Sequence, residues 1–138
     1  MPKRSVFVDS CVLIRYYRDR KQGNTFFEQI KQNYEELYIS LIAFTEIMIG
    51  SQDNSLEFWN DVLNTITIVP FTQKTVIKTR EIAFQLKRKS MMIELADMMI
   101  AATAIENDCP LATINQNHFE RIDGLKIITP ELPRLFIQ

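Results

Sequence analysis

Short apolar runs alternate along this chain with longer stretches whose apolar positions recur at helical spacing. Val6, Phe7 and Val8 form a compact β-branched and aromatic run that predicts a buried strand over residues 4–9. Ser10 then serves as the expected cap of a helix over roughly residues 11–20. Asn24 or Thr25 opens a second helix with Phe26, Phe27 and Ile30 on one face. Residues 36–40 read as a second strand, and Ser40 as the cap of a helix over 41–50 that Gly50 ends. Asp53, Asn54 and Ser55 start the next helix, which buries Leu56, Trp59 and Leu63. A third strand over 67–69 stops at Pro70, and Thr72 opens a long helix to about Lys89. A further helix spans residues 94–107, and residues 111–114 and 126–128 are the last two strands.

Strands alternating with helices predict one α/β domain over residues 1–138, built on a mostly parallel five-stranded sheet with helices on both faces. In such sheets the functional crevice lies beyond the carboxyl ends of the strands. Asp9 stands at one such end and Asn115 follows another.

Three acids interrupt the apolar pattern. Asp9 closes the first strand, Glu46 sits inside the run 41–49, and Asp97 sits inside the run 91–100. A carboxylate in apolar surroundings is costly unless its charge is compensated, and no Lys or Arg lies inside the last two runs. Brought together by the fold, the three would repel one another and call for a cation. Hard oxygen ligands facing one cavity suit Mg²⁺ or Mn²⁺, and such an ion acidifies bound water and stabilises charge on phosphate oxygens.

Composition narrows the field. The 138 residues suffice for one domain with a real core, and the net charge of −1 is not that of a protein that coats nucleic acid. A local basic patch stays open, because phosphate contacts need only local charge. The basic candidates are Arg15 and Arg18, with Tyr16 and Tyr17 between them for base stacking, and Lys87 and Arg88. Cys11 and Cys109 form no Cys-x-x-Cys pair and His118 is the single histidine, so a structural zinc site lacks its ligands. No apolar segment approaches the ~20 residues that span a bilayer. The opening apolar stretch is too short for a signal-peptide core, and two lone cysteines suit a reducing compartment, so a cytoplasmic protein with no membrane partner is expected.

Four segments, in order, resemble the motifs of the PIN-domain family: residues 6–14 (VFVDSCVLI), Thr45-Glu46-Ile47, residues 95–104 (LADMMIAATA) and residues 111–119 (LATINQNHF). Length and the last two motifs look most like VapC-type toxins. The resemblance implies a three-layer α/β/α fold and a Mg²⁺- or Mn²⁺-dependent endoribonuclease acting on single-stranded or loop regions of RNA, transfer RNA included. It implies a VapB-like antitoxin as partner and a homodimer. Carried over by position, Asp9, Glu46 and Asp97 are the catalytic metal ligands, and Asn115 stands in place of a fourth acid, its carbonyl able to bind the ion or a bound water. Ser10, Thr45 and Thr113 support them by hydrogen bonds.

Other readings stay in play. Asp9 and Asp97 could be acids at helix N-termini, held by the helix dipole. Glu94 could share a face with Asp97 or be an ordinary first-turn glutamate. His118 reads as a helix-start or surface residue near the site rather than a general base. Phe26, Phe27, Phe58 and Trp59 suit core or dimer packing, and the methionines at 91, 92, 98 and 99 suit core filling or a partner groove. A receiver-type phosphoacceptor domain would need an acidic neighbour for Asp9 and a Lys after a late strand, where this chain has Asn115. A catalytically silent PIN module acting as a scaffold is the remaining alternative.

Overall fold

The computed structural model describes residues 4–130. Five parallel strands stand in the order β3-β2-β1-β4-β5, where β1 is Ser5–Val8, β2 Glu36–Ser40, β3 Thr67–Val69, β4 Leu111–Ala112 and β5 Ile127–Ile128. The register pairs Phe7 with Tyr38 on one side and with Leu111 on the other, so β1 is the centre of the sheet. All four of its residues are buried, as a strand covered on both faces requires. β2 and β3 are added on one side of β1, and β4 and β5 on the other. The direction of winding therefore reverses between β1 and β4, the place where open α/β sheets open a crevice at their carboxyl end.

The helices are α1 Ser10–Asp19, α2 Phe26–Asn33, α3 Leu41–Gly50, α4 Leu56–Leu63 after a 3₁₀ turn at Asp53–Ser55, α5 Gln73–Arg88, α6 Leu95–Glu106 and the one-turn α7 Gln116–Phe119. Thr25, Ser40 and Thr72 cap α2, α3 and α5 as their sequence positions predict. At α1 the expectation fails by one residue. Asp9, at φ −72° and ψ 151°, is the cap and accepts the Ser10 N–H, so Ser10 is already helical and its hydroxyl is free to reach elsewhere. The fourth strand is also shorter than the 111–114 expected, because the residues after Ala112 turn into the loop that carries the site.

One apolar core fills both sides of the sheet, with Val6, Phe7, Leu13, Ile39, Leu86, Ile100, Leu111 and Phe119 among its fully buried members. Along α6, Ile100, Ala101, Ala102 and Ala104 are all buried, and these small residues let the helix lie deep between α5 and α3. Tyr16, Tyr17, Phe27, Phe58 and Trp59 form an aromatic cluster joining α1, α2 and α4, with ring centroids 4.9 Å apart for Tyr16–Phe27 and 4.8 Å for Tyr17–Phe58. Edge-to-face contacts of this kind add to area burial. The two tyrosines, half-buried in this cluster, are packing residues. Among the described residues no helix is long and apolar enough to cross a membrane.

Candidate active site

Asp9 leaves β1 at the switch point. Its N–H donates to the Ala112 carbonyl at 2.9 Å, which fixes it beside the end of β4. Its side chain is 4% exposed and is held by three donors. The Ser10 N–H reaches Oδ1 at 2.9 Å, the Thr113 hydroxyl reaches Oδ2 at 2.7 Å, and the Cys11 thiol reaches Oδ2 at 3.1 Å. Burial pushes the Cys11 thiol up to about 12, so it is a neutral S–H donor here. The freed Ser10 hydroxyl donates to Glu46 Oε1 at 2.9 Å, which ties α1 to α3. Asp97 lies in the first turn of α6, and its Oδ2 is 3.0 Å from Nδ1 of His118 on α7. The side chain of Asn115, the cap residue of α7, is 2.8 Å from the same imidazole nitrogen.

These partners are neutral or, for His118, conditionally charged. Among the described residues no Lys or Arg forms an ion pair with Asp9, Glu46 or Asp97. Burial raises the Asp9 carboxyl above the usual carboxylate range, against the hydrogen bonds of Thr113 and Cys11, and the charge of Asp97 pushes the same way. Glu46 is raised chiefly by burial, then by the charges of Asp9 and Asp97, with the Ser10 bond opposing. The three acids therefore feel one another across a shared space. Among the described residues no group of three or more His, Cys, Asp or Glu side chains closes together enough to hold a metal ion. An ion that keeps several of its waters, as Mg²⁺ does, needs no such closure. Carboxylate oxygens, neutral supporting donors and uncompensated negative charge make a donor set that fits a hard divalent cation.

The raised carboxyls give a pH prediction. A group whose folded value is raised contributes stability that is fully present below its unfolded value and is lost as pH rises through the folded value. Without divalent ions, Asp9→Asn should therefore gain in melting temperature relative to the parent protein as pH climbs from about 4, the ordinary carboxylate value, towards neutrality. Thermal melts across that range check the sign, and a variant-minus-parent difference that falls as pH rises would contradict it.

The other sequence candidates divide clearly. Ser10 and Thr113 touch the acids as expected. Thr45 does not: its exposed hydroxyl donates to the Leu41 carbonyl at 2.7 Å, one turn back on its own helix, because adjacent helical residues point about 100° apart. Glu94 is exposed and caps α6 without a side-chain bond. Arg15 is exposed and lines a cleft of about 260 Å³ with Val12, Asn24 and Ile114. Arg18 is paired with Asp19 at 3.4 Å, and Lys87 and Arg88 lie exposed in the last turn of α5. None of these four cations pairs with the acids. The contributor that sequence reading passed over is Cys11, two residues after Asp9 on the same turn; His118, expected at a helix start near the site, stands there in α7 against Asp97.

Fold and site define an α/β protein with a five-stranded parallel sheet and three acids, Asp9, Glu46 and Asp97, whose charges act on one another near its switch point. A model of the PIN domain matches residues 6–125, and the chain belongs to that family. The ribonuclease VapC1 of Rickettsia felis is 31% identical over 132 residues, covering 90% of this chain and 95% of that protein. The ribonuclease VapC1 of Methanocaldococcus jannaschii is 36% identical over 131 residues, covering 88% and 85%. Among solved structures, VapBC2 from Rickettsia felis bound to a promoter DNA fragment superposes with a TM-score of 0.81 at 21% identity over 92% of this chain and 99% of that one. DNA-bound VapBC from Salmonella typhimurium gives 0.82 at 22% identity over 92% and 98%.

Proposed function

We propose that this protein is the toxin of a VapBC-type toxin–antitoxin pair, an endoribonuclease that hydrolyses phosphodiester bonds of RNA with a divalent ion at the acidic crevice. Relatives spanning nearly the whole chain are ribonucleases by name, and the structural neighbours include toxin–antitoxin complexes. The observation that carries the reading is the trio Asp9, Glu46 and Asp97, linked electrostatically at one crevice without a Lys or Arg partner among the described residues.

Asp9, Glu46 and Asp97 would hold Mg²⁺ or Mn²⁺, with Asn115 beside them. The ion, when bound, supplies an acidified water and neutralises charge on the phosphate oxygens. The chain's own residues prepare the place. Thr113 and Cys11 donate to Oδ2 of Asp9 and restrain its carboxylate, and the Ser10 hydroxyl does the same for Glu46. Because the empty crevice is negative, it repels a phosphodiester backbone until its charge is compensated. Arg15, Arg18, Lys87 and Arg88 are the proposed RNA-backbone contacts. A relative of 26% identity over 105 residues carries the name tRNA(fMet)-specific endonuclease, which favours structured RNAs with exposed loops as substrates here. The partner is a VapB-like antitoxin, with a basic side chain suited to the carboxylates. The active form is proposed to be a cytoplasmic homodimer.

Removal of the metal tests this. Chelation should stop RNA cleavage by the purified protein, and excess Mn²⁺ or Mg²⁺ should restore it. Cleavage that persists after exhaustive chelation would exclude the divalent-ion reading, and no cleavage of any RNA pool under either condition would favour a silent scaffold.

A further inference from the structure

Each of the three acids has its own set of fixing bonds, and they are unequal. Asp9 has three donors and Glu46 has the Ser10 hydroxyl, whereas Asp97 is held among the described residues by His118. His118 is itself seated. Phe119, the next residue, is fully buried in the core, and the Asn115 N–H donates to Thr113 Oγ1 at 3.0 Å. Thr113 in turn donates to Asp9. An unbroken run of hydrogen bonds thus crosses the crevice from Asp9 through Thr113, Asn115 and His118 to Asp97. Every link between the two acids comes from residues 113–118, the β4–α7 turn and α7 itself.

The donor roles follow from chemistry. An ionised Asp97 only accepts, so Nδ1 of His118 carries the hydrogen and donates it. The Asn115 Nδ2 stands 2.8 Å from that nitrogen, so a donating Nδ1 requires the amide turned over, with its oxygen facing the ring. The imidazole then has no lone pair on the side turned to Asp97.

We infer that His118 is a positioning residue for the divalent-ion site: through Nδ1–H it orients the Asp97 carboxylate. It rests on the ribonuclease reading of the same site and adds a residue to it. Hydrogen-bonding partners of ligand side chains typically govern about 10–100-fold in metal affinity. Mg²⁺ tolerates misplacement of a carboxylate less well than larger cations do, so loss of the clamp costs Mg²⁺ more than Mn²⁺.

The test reads metal binding directly. Mn²⁺ affinity is measured by the electron paramagnetic resonance of free Mn²⁺, and Mg²⁺ affinity by competition, in the parent protein, His118→Ala and His118→Asn. The Asn side-chain nitrogen falls near the position of Nδ1 and keeps a donor there. His118→Ala should weaken Mn²⁺ about tenfold and Mg²⁺ by more, with His118→Asn within about threefold of the parent. Cleavage should fall in kcat with the KM for RNA unchanged. Electron spin echo modulation of the bound Mn²⁺ should show no directly coordinated nitrogen. Parent-like affinity in His118→Ala overturns the inference alone, as does a coordinated nitrogen, which would make His118 a ligand. A parent protein that binds no Mn²⁺ and still cleaves RNA overturns both this inference and the metal reading beneath it.

Discussion

Asp9→Asn is expected to lower RNA cleavage by at least about 100-fold while leaving the fold intact. The floor comes from comparison: loss of a residue that merely supports a metal ligand already costs up to about 100-fold, and Asp9 is proposed as a ligand itself. The fold survives because the substitution is isosteric. Asn keeps an oxygen for the Ser10 N–H, and its amide nitrogen can donate to the Thr113 hydroxyl that now donates to Asp9. Removing one negative charge from a crevice where Asp9, Glu46 and Asp97 repel one another also relieves strain in the metal-free state. Activity should fall while the metal-free melting temperature at neutral pH holds or rises. Cleavage within about threefold of the parent would remove Asp9 from the chemistry, since no supporting role is that weak.

Phe119→Ala is expected to be the most destabilising single change near the site. Phe119 is fully buried, and truncating a buried Phe costs about 3–5 kcal/mol in transfer and cavity terms. A domain of this size has a total stability of about 5–15 kcal/mol, so the melting temperature should drop by roughly 10–20 °C. α7 is a single turn, too short to persist by its own hydrogen bonds, and Phe119 is its anchor. At temperatures where the variant stays folded, its divalent-ion affinity should also be weakened, because His118 and Asn115 ride on the same turn. His118→Ala, at a half-buried position, should leave the melting temperature nearly unchanged. A drop below about 1 kcal/mol in Phe119→Ala would show that α7 does not depend on this core contact.

The fold was legible because its signals are local. The strand over 67–69, the caps Thr25, Ser40 and Thr72, and the run of small apolar residues in α6 each follow from propensity and spacing within a few residues. The cap of α1 was misplaced by one residue because Asp and Ser are equally good caps. What decides between them is a distant partner: Ser10 is drawn to Glu46, 36 residues away in sequence. Thr45 looked like a supporting residue by adjacency to Glu46, but adjacency on a helix means different faces. Cys11 gave no sequence signal strong enough to mark it, and His118 was placed near the site without its partner, since their contacts exist only through Asp9 and Asp97.

By itself the sequence determined the alternation of strands and helices, the placement of acids inside apolar runs, and a likeness to the PIN domain carried by four ordered segments. Those properties are written in hydrophobic periodicity and in residue type, which need no knowledge of distant contacts. Only the tertiary structure decided which hydroxyl serves which carboxylate, that the tyrosines of α1 pack inward, and that a hydrogen-bonded run spans the crevice from Asp9 to Asp97. Those are pairings across 20 to 100 residues of chain, fixed by strand register and by the seating of α7. Nothing in local sequence encodes a distance between side chains brought together from opposite ends of a fold.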